Sequence, residues 1–245
     1  MSFGLSIEGA NQRILLNESK PGIFFKGKYT ATYSSGWTTT VTGCNSMPLV
    51  FIKTLGTGYK TSIYSMVDNG SGSWTISLAA RTDTGTNTNS SSQEIGDPYP
   101  GDLTFYAFDI LGSADAVTSG YGMLVYDDNS NPVFTTNKKL LKITGYHVTS
   151  SVYIANEQFN VSTQTITSGT IPTDYAVLCG AVGESWIPIN VQLSLLCPIG
   201  VRRLTSTTMK FGVTGVFHPF NPAPYVQSNI YANHQLLFIN HADYD

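Results

Sequence analysis

An all-β fold of antiparallel sheets, jelly-roll-like or built as tandem sandwiches, is what this 245-residue sequence predicts. Three observations point there. The dominant period is two: Trp74, Ile76, Leu78 and Ala80 alternate with Ser73, Thr75, Ser77 and Ala79, and Met209, Phe211 and Val213 alternate with Lys210, Gly212 and Thr214. Such alternation sends one set of side chains to a buried face and the other into water. The content of Thr, Val, Tyr and Phe fits, because branched and aromatic side chains pack well on a pleated surface. Finally, Gly, Pro, Asn and Asp divide the chain into about twelve to sixteen short runs, and helical periodicity is confined to a short stretch near Glu157.

Along the chain, Phe3-Gly-Leu-Ser-Ile-Glu-Gly-Ala-Asn-Gln-Arg-Ile-Leu-Leu-Asn17 reads as strand, turn, strand. A counterpart lies 118 positions later, in Tyr121-Gly-Met-Leu-Val-Tyr-Asp-Asp-Asn-Ser-Asn-Pro-Val-Phe-Thr135. Leu5 and Ile7 correspond to Met123 and Val125, and Leu15 and Leu16 to Val133 and Phe134. Either hairpin physics or an internal duplication accounts for this echo. It suggests a division into residues 1–117 and 118–245, each a β-rich half opening on one hairpin. Between the hairpins, Leu55-Gly-Thr-Gly-Tyr-Lys-Thr61 reads as a hairpin turn, and Asn69-Gly-Ser-Gly-Ser-Trp74 as a polar turn before a strand. Residues 82–92 are a low-complexity polar loop. Residues 218–225 carry three prolines and favour an extended arm, packed on a neighbouring subunit or on its own domain.

Composition narrows the function classes. Charged residues are 12% of the chain, about half the usual share, whereas 70 residues are Ser, Thr or Asn. With 13 Lys and Arg and a net charge of −3, the chain predicts no nucleic-acid partner. No apolar run is long enough for a membrane helix, so no membrane insertion is expected. The opening residues show no secretory signal. Cys44, Cys179 and Cys197 are an odd set without a C-x-x-C pair, and read as buried small hydrophobes of a chain that matures in a reducing compartment.

Signatures of catalysis and metal binding fail on spacing. Gly-x-Ser-x-Gly is absent, and Tyr59 stands where a phosphate loop needs glycine. Asp127-Asp-Asn129-Ser-Asn131 begins like a calcium loop, but Pro132 and Lys138 occupy the turn-glycine and bidentate-glutamate positions, so a tight turn is expected. His147, His218, His234 and His241 form no i, i+4 pair; His234 and His241 flank the strand-like Gln235-Leu-Leu-Phe-Ile-Asn240. The sequence therefore predicts no enzyme, no cofactor and no metal. Among Glu94, Asp97, Asp102, Asp109, Asp115 and Glu184, a carboxylate pair for glycoside cleavage needs only proximity in space. Glu184-Ser185-Trp186 is the most enzyme-like arrangement, an acid beside an indole able to stack on a sugar.

The hairpin Tyr121-Gly-Met-Leu-Val-Tyr-Asp-Asp-Asn-Ser-Asn-Pro-Val-Phe-Thr135 resembles one in small tail proteins of long-tailed bacteriophages. Their pattern is Tyr-Gly-Leu-x-Val-x-Asn/Asp-x-x-Gly-x-x-x-Phe-Asp-Ser, followed by a basic-apolar strand. Phe3-Gly-Leu resembles the same unit, and Met47-Pro-Leu-Val-Phe-Ile-Lys53 and Asp102-Leu-Thr-Phe-Tyr-Ala-Phe-Asp109 also resemble the family. Asn131 replaces the turn glycine and Thr135-Thr136 the Asp-Ser; residues 146–245 lie outside the resemblance. It implies a virion structural protein of the tail tip, baseplate or fibre attachment, assembled in the host cytoplasm. Expected partners are other tail proteins, further copies of the chain, and a polysaccharide or protein of the host surface. Trp37, Tyr99, Trp186 and Tyr225 are the candidate surface or receptor contacts. The alternatives are a carbohydrate-binding module and, ranked last, a polysaccharide-cleaving enzyme.

Overall fold

The computed structural model describes residues 4–9, 12–17, 21–55, 58–82, 97–112, 115, 121–148, 174–179, 184–190, 193–203, 209–213 and 235–245. They form sixteen strands, with no α-helix among the described residues. In chain order these are β1 (Gly4–Gly9), β2 (Gln12–Asn17), β3 (Ile23–Ala31), β4 (Thr38–Val41), β5 (Leu49–Lys53), β6 (Tyr59–Gly70), β7 (Ser73–Thr82) and β8 (Leu103–Ile110). Then come β9 (Leu124–Tyr126), β10 (Pro132–Thr135), β11 (Gly145–Val148), β12 (Tyr175–Cys179), β13 (Glu184–Asn190), β14 (Leu193–Arg203), β15 (Met209–Val213) and β16 (Gln235–Asn240).

One six-stranded sheet runs β11-β16-β12-β5-β8-β3. A second runs β13-β14-β6-β7-β4, with β15 also paired to β14. Both echo segments form separate two-stranded hairpins, β1–β2 and β9–β10. Every pairing is antiparallel, as the sequence predicts. The halves 1–117 and 118–245 are interleaved: β12 pairs with β5 in the first sheet, and β14 with β6 in the second.

An apolar cluster joins the two sheets. Ile76, Leu78 and Ala80 of β7 and Val41 of β4 meet Ala31 of β3, Val50 and Ile52 of β5, and Leu103, Phe105 and Ala107 of β8. The alternation read in β7 is the pattern that places these residues inward. By contrast β5 and β8 are continuous apolar runs, because the first sheet is buried on both faces. Phe51, Tyr106 and Phe108 point away from the shared core into a second cluster with Ala176 and Ile239. Tyr244, from residues 241–245, folds back to cover them, its ring 4.8 Å from that of Phe108 and 5.3 Å from that of Phe25. Its hydroxyl donates to Leu140 O at 2.9 Å and accepts from Lys142 N–H at 2.8 Å.

β3 serves both clusters because of a bulge between Phe25 and Gly27. One extra residue inverts the facing of everything beyond it. Ile23 and Phe25 therefore face Tyr244, whereas Tyr29 and Ala31 face the shared core.

Two loops read from sequence have particular geometries. Ser71 and Gly72 both have positive φ (53° and 72°) and link Gly70 to its register partner Ser73, the turn that matches strand twist in a two-residue hairpin. Gly72 has no room for a side chain: an added Cβ would collide with Cys44 O. The 55–61 segment is not a hairpin turn. It links β5 of one sheet to β6 of the other, since the partner of β5 is β8 and that of β6 is β7. Glu157, residues 83–92 and residues 218–225 lie outside the described residues.

Candidate functional site

Of the four expected surface contacts, Trp37 is corrected outright. It follows the left-handed Gly36 and itself has φ +56°, which turns the indole into the shared core, where only 6% of the residue is exposed. Its Nε1–H donates to Gly101 O at 2.9 Å, and the ring of Tyr33 lies 5.4 Å away. An indole so placed is no platform for a sugar. Tyr99 is half-buried against the same cluster, edge-on to Tyr59 at 5.0 Å. Trp186 lies on β13 but its side chain is outside the described residues, as is all of Tyr225.

The exposed apolar side chains gather elsewhere. Five of the eight large exposed hydrophobic residues among those described fall within residues 121–146: Tyr121, Met123, Tyr126, Ile143 and Tyr146. Three stand on or beside the β9–β10 hairpin, and Tyr146 stands on β11, the end strand of the first sheet's pairing order. The hairpin is held by its other residues. Val125 and Phe134 pack with Phe24, Leu111 and Leu140, and Gly22 N–H donates to Val133 O at 3.0 Å. Asp127 closes its turn: Oδ1 accepts from the N–H groups of Asn129 and Asn131, and Oδ2 from the Asn131 amide. Those bonds, the Asn131 side chain first, hold the Asp127 carboxyl below its ordinary range. The tight turn expected at this loop is thus the structure found.

Exposed Tyr and Met side chains are among the residue types that protein interfaces use. Within Tyr121–Thr135, sequence reasoning found the hairpin but not which of its residues stay outside. The available signal was alternation across β9, with Val125 packed inward and Tyr126 half exposed beside it.

Two polar clusters bring carboxylates together with cations. In the first, Asp245 Oδ1 accepts from Lys28 Nζ at 2.7 Å and from Tyr106 OH at 2.8 Å, while its Oδ2 lies 3.0 Å from His241 Nδ1. The His241 ring stacks on Tyr106, 5.7 Å between centroids. Lys28, then Tyr106 and His241, hold the Asp245 carboxyl well below the usual range against the opposing pull of burial. Burial, and next the bond to Asp245, push the Tyr106 phenol far up. These groups spend their hydrogen bonds on one another, and the cluster acts to fasten residues 241–245 over the second cluster. His241 is thereby a core-edge histidine; His234 lies outside the described residues.

A carboxylate held down in the folded state stabilises the protein above its unfolded pKa of about 3.9, and that stability is lost as pH falls toward the folded value. Asp245→Asn is therefore expected to flatten the acid limb. Between pH 5 and pH 2, the urea midpoint of the wild type should fall further than that of the variant.

The second cluster contains Asp109 and Asp115, both bonded to Asn45. Asp115 pairs with Lys138 and lies 3.7 Å from Lys26. Burial pushes its carboxyl up, but Lys138, the Gly112 N–H and Lys26 outweigh that and lower it. Asp109 accepts from backbone amides, and Asp102 accepts from Tyr33 N–H at 3.0 Å. Each of these carboxylates is occupied in fastening loops. Cys44, beside them, is buried, which pushes its thiol up and makes it the inert small hydrophobe expected. The side chains of Cys179 and Cys197, and those of Glu94 and Glu184, are not among those described. No group of three metal-ligating side chains occurs among the described residues.

Set against known protein families, curated proteins and solved structures, the chain matches none of them.

Proposed function

We propose that the chain is a structural component of a bacteriophage tail, at the tip, the baseplate or a fibre attachment. The observation that carries this reading is the Tyr121–Thr135 hairpin, whose sequence resembles phage tail proteins and which sits outside both large sheets with tyrosines exposed. Two features support it. A surface rich in Ser, Thr and Asn and poor in charge suits permanent packing, because hydroxyls and amides find partners where buried ions are costly. The exposed Tyr121, Met123, Tyr126 and Tyr146 supply the aromatic and thioether contacts in which interface energy concentrates. In this role the chain joins other copies of itself and other tail proteins, and its exposed face meets the host surface. Should that contact be to a polysaccharide, Tyr33, Tyr121 and Tyr146 are the stacking residues in place of Trp37.

Light scattering after size exclusion tests the assembly step. The wild type is expected as a defined oligomer, or bound to purified tail particles. The triple variant Tyr121→Ser, Tyr126→Ser, Tyr146→Ser should lose at least tenfold in affinity with unchanged circular dichroism, at about 1 kcal/mol or more per buried aromatic anchor. A monomer at every concentration that also ignores tail particles, or absence of the chain from purified virions by mass spectrometry, would overturn the reading.

A further inference from the structure

The tip of the β6–β7 hairpin carries a reactive pair that the tail reading does not use. Asn69 is the one asparagine of the chain followed by glycine. Glycine has no Cβ, so its backbone nitrogen approaches a preceding side-chain amide more freely than that of any other residue. Asn69 and Gly70 are both exposed, and Gly70 has a φ of +81° with open space where a Cβ would stand. The pairing of β6 with β7 steps from Asp68 and Trp74 directly to Gly70 and Ser73. Asn69 is therefore the extra residue of a bulge and stands outside the regular ladder.

Two hydrogen bonds occupy the reacting groups. The side-chain Nδ2 of Asn69 donates to Thr75 Oγ1 at 2.8 Å, and Gly70 N–H donates to Asp68 Oδ1 at 2.8 Å. The first holds the amide that would leave, the second the nitrogen that would attack. Both bonds lie at an exposed tip where water competes for the same groups, so their net worth is modest.

We propose that Asn69 is a site of spontaneous modification, converted by solvent water to aspartate and isoaspartate at a rate set by the opening of these two bonds. In the open tip the Gly70 nitrogen bonds to Asn69 Cγ. The side-chain NH2 leaves as ammonia with the Gly70 amide proton, and a succinimide ring spans the two residues. Water then adds to one of the two ring carbonyls. Breaking the bond from nitrogen to Cγ gives aspartate; breaking the bond to the main-chain carbonyl carbon gives isoaspartate, with one more carbon in the backbone. Either product sets a second carboxylate beside Asp68. The isoaspartate also lengthens the chain ahead of a turn that is seated on the β4–β5 connection, where Cys44 N–H donates to Gly72 O at 2.8 Å. The modification thus loosens residues 42–46 as well as the hairpin tip. None of this depends on whether the chain belongs to a phage tail.

The test is peptide mapping by mass spectrometry, with chromatographic separation of isoaspartate, on the full chain kept folded at neutral pH and on the same chain in urea. In the folded chain the amide-to-acid mass gain is expected at Asn69 before Asn45, Asn129, Asn131 or Asn137, and more slowly than in urea. Thr75→Val frees the leaving amide and Asp68→Ala the attacking nitrogen; each should convert roughly two- to tenfold faster with unchanged circular dichroism. In the isoaspartate fraction the Cys44 amide should exchange faster than in the unmodified chain, with the β8 amides unchanged. A folded chain still intact at Asn69 when the urea sample has fully converted would overturn the proposal, because the tip would then not open. Equal rates in the wild type, Thr75→Val and Asp68→Ala would overturn it too, since the two bonds would not set the rate.

Discussion

Phe108→Ala is expected to lower the free energy of unfolding by about 3–5 kcal/mol. The side chain is fully buried on β8, which is hydrogen-bonded on both sides, to β3 and to β5. Its ring meets Phe51 at 5.3 Å, Phe25 at 5.5 Å and Tyr244 at 4.8 Å. Truncation removes the transfer energy of a benzyl group and leaves a cavity among three rings from three different segments. Rigid sheet hydrogen bonds keep β3 and β5 from closing it, so little of the cavity term relaxes away. Three aromatic contacts vanish together, each worth about 0.5–1.5 kcal/mol beyond its buried area. Urea unfolding should show a lower midpoint with an unchanged slope. Tyr121→Ala, fully exposed, is the control, and should stay within about 0.5 kcal/mol of the wild type. A loss below 1 kcal/mol at Phe108 would mean that residues 241–245 do not pack on this face.

Asp109→Ala should cost about 3 kcal/mol, by a different route. Asp109, next to last in β8 and 2% exposed, accepts from the N–H groups of Asn45, Ser46 and Ile110 and from the Ser46 hydroxyl. Alanine removes the carboxylate acceptor of three part-buried backbone donors, and a donor left unpaired out of reach of water costs about 1–3 kcal/mol. Asp109→Asn restores one carbonyl but turns an NH2 toward donors, so it should recover only part of the loss. Hydrogen exchange separates this from general destabilisation. The Asn45 and Ser46 amides should exchange at least tenfold faster, while those of β7 change only as far as global stability does. Equal acceleration everywhere would count against a local role for Asp109.

Period two carried the fold class. β7 reads directly because one of its faces meets the shared core, and the residues read as inward are the ones found there. The turns at 70–73 and 127–131 were legible too, since each depends on residues within four positions. Errors arose where a second, distant segment decides the outcome. Residues 55–61 looked like a hairpin turn because sequence does not say that β5 and β6 join different sheets. Trp37 looked available because nothing local announces that its backbone turns the indole inward toward Gly101.

The interleaving of the two halves also sets a timetable for the chain at the ribosome. Thr61 donates its hydroxyl proton to Val201 O across 140 residues, and β5 waits for β12, which in turn pairs with β16 at residues 235–240. While residues 1–117 emerge, β5 and β6 have found only their local neighbours, and each offers a bare edge of unsatisfied amides. Loop-closure entropy must be met before the distant strands reward it, which places such a topology among the slow folders, at milliseconds to seconds. The molecule therefore closes late and nearly all at once, and the hazard it faces in the cell is edge-to-edge pairing between unfinished chains.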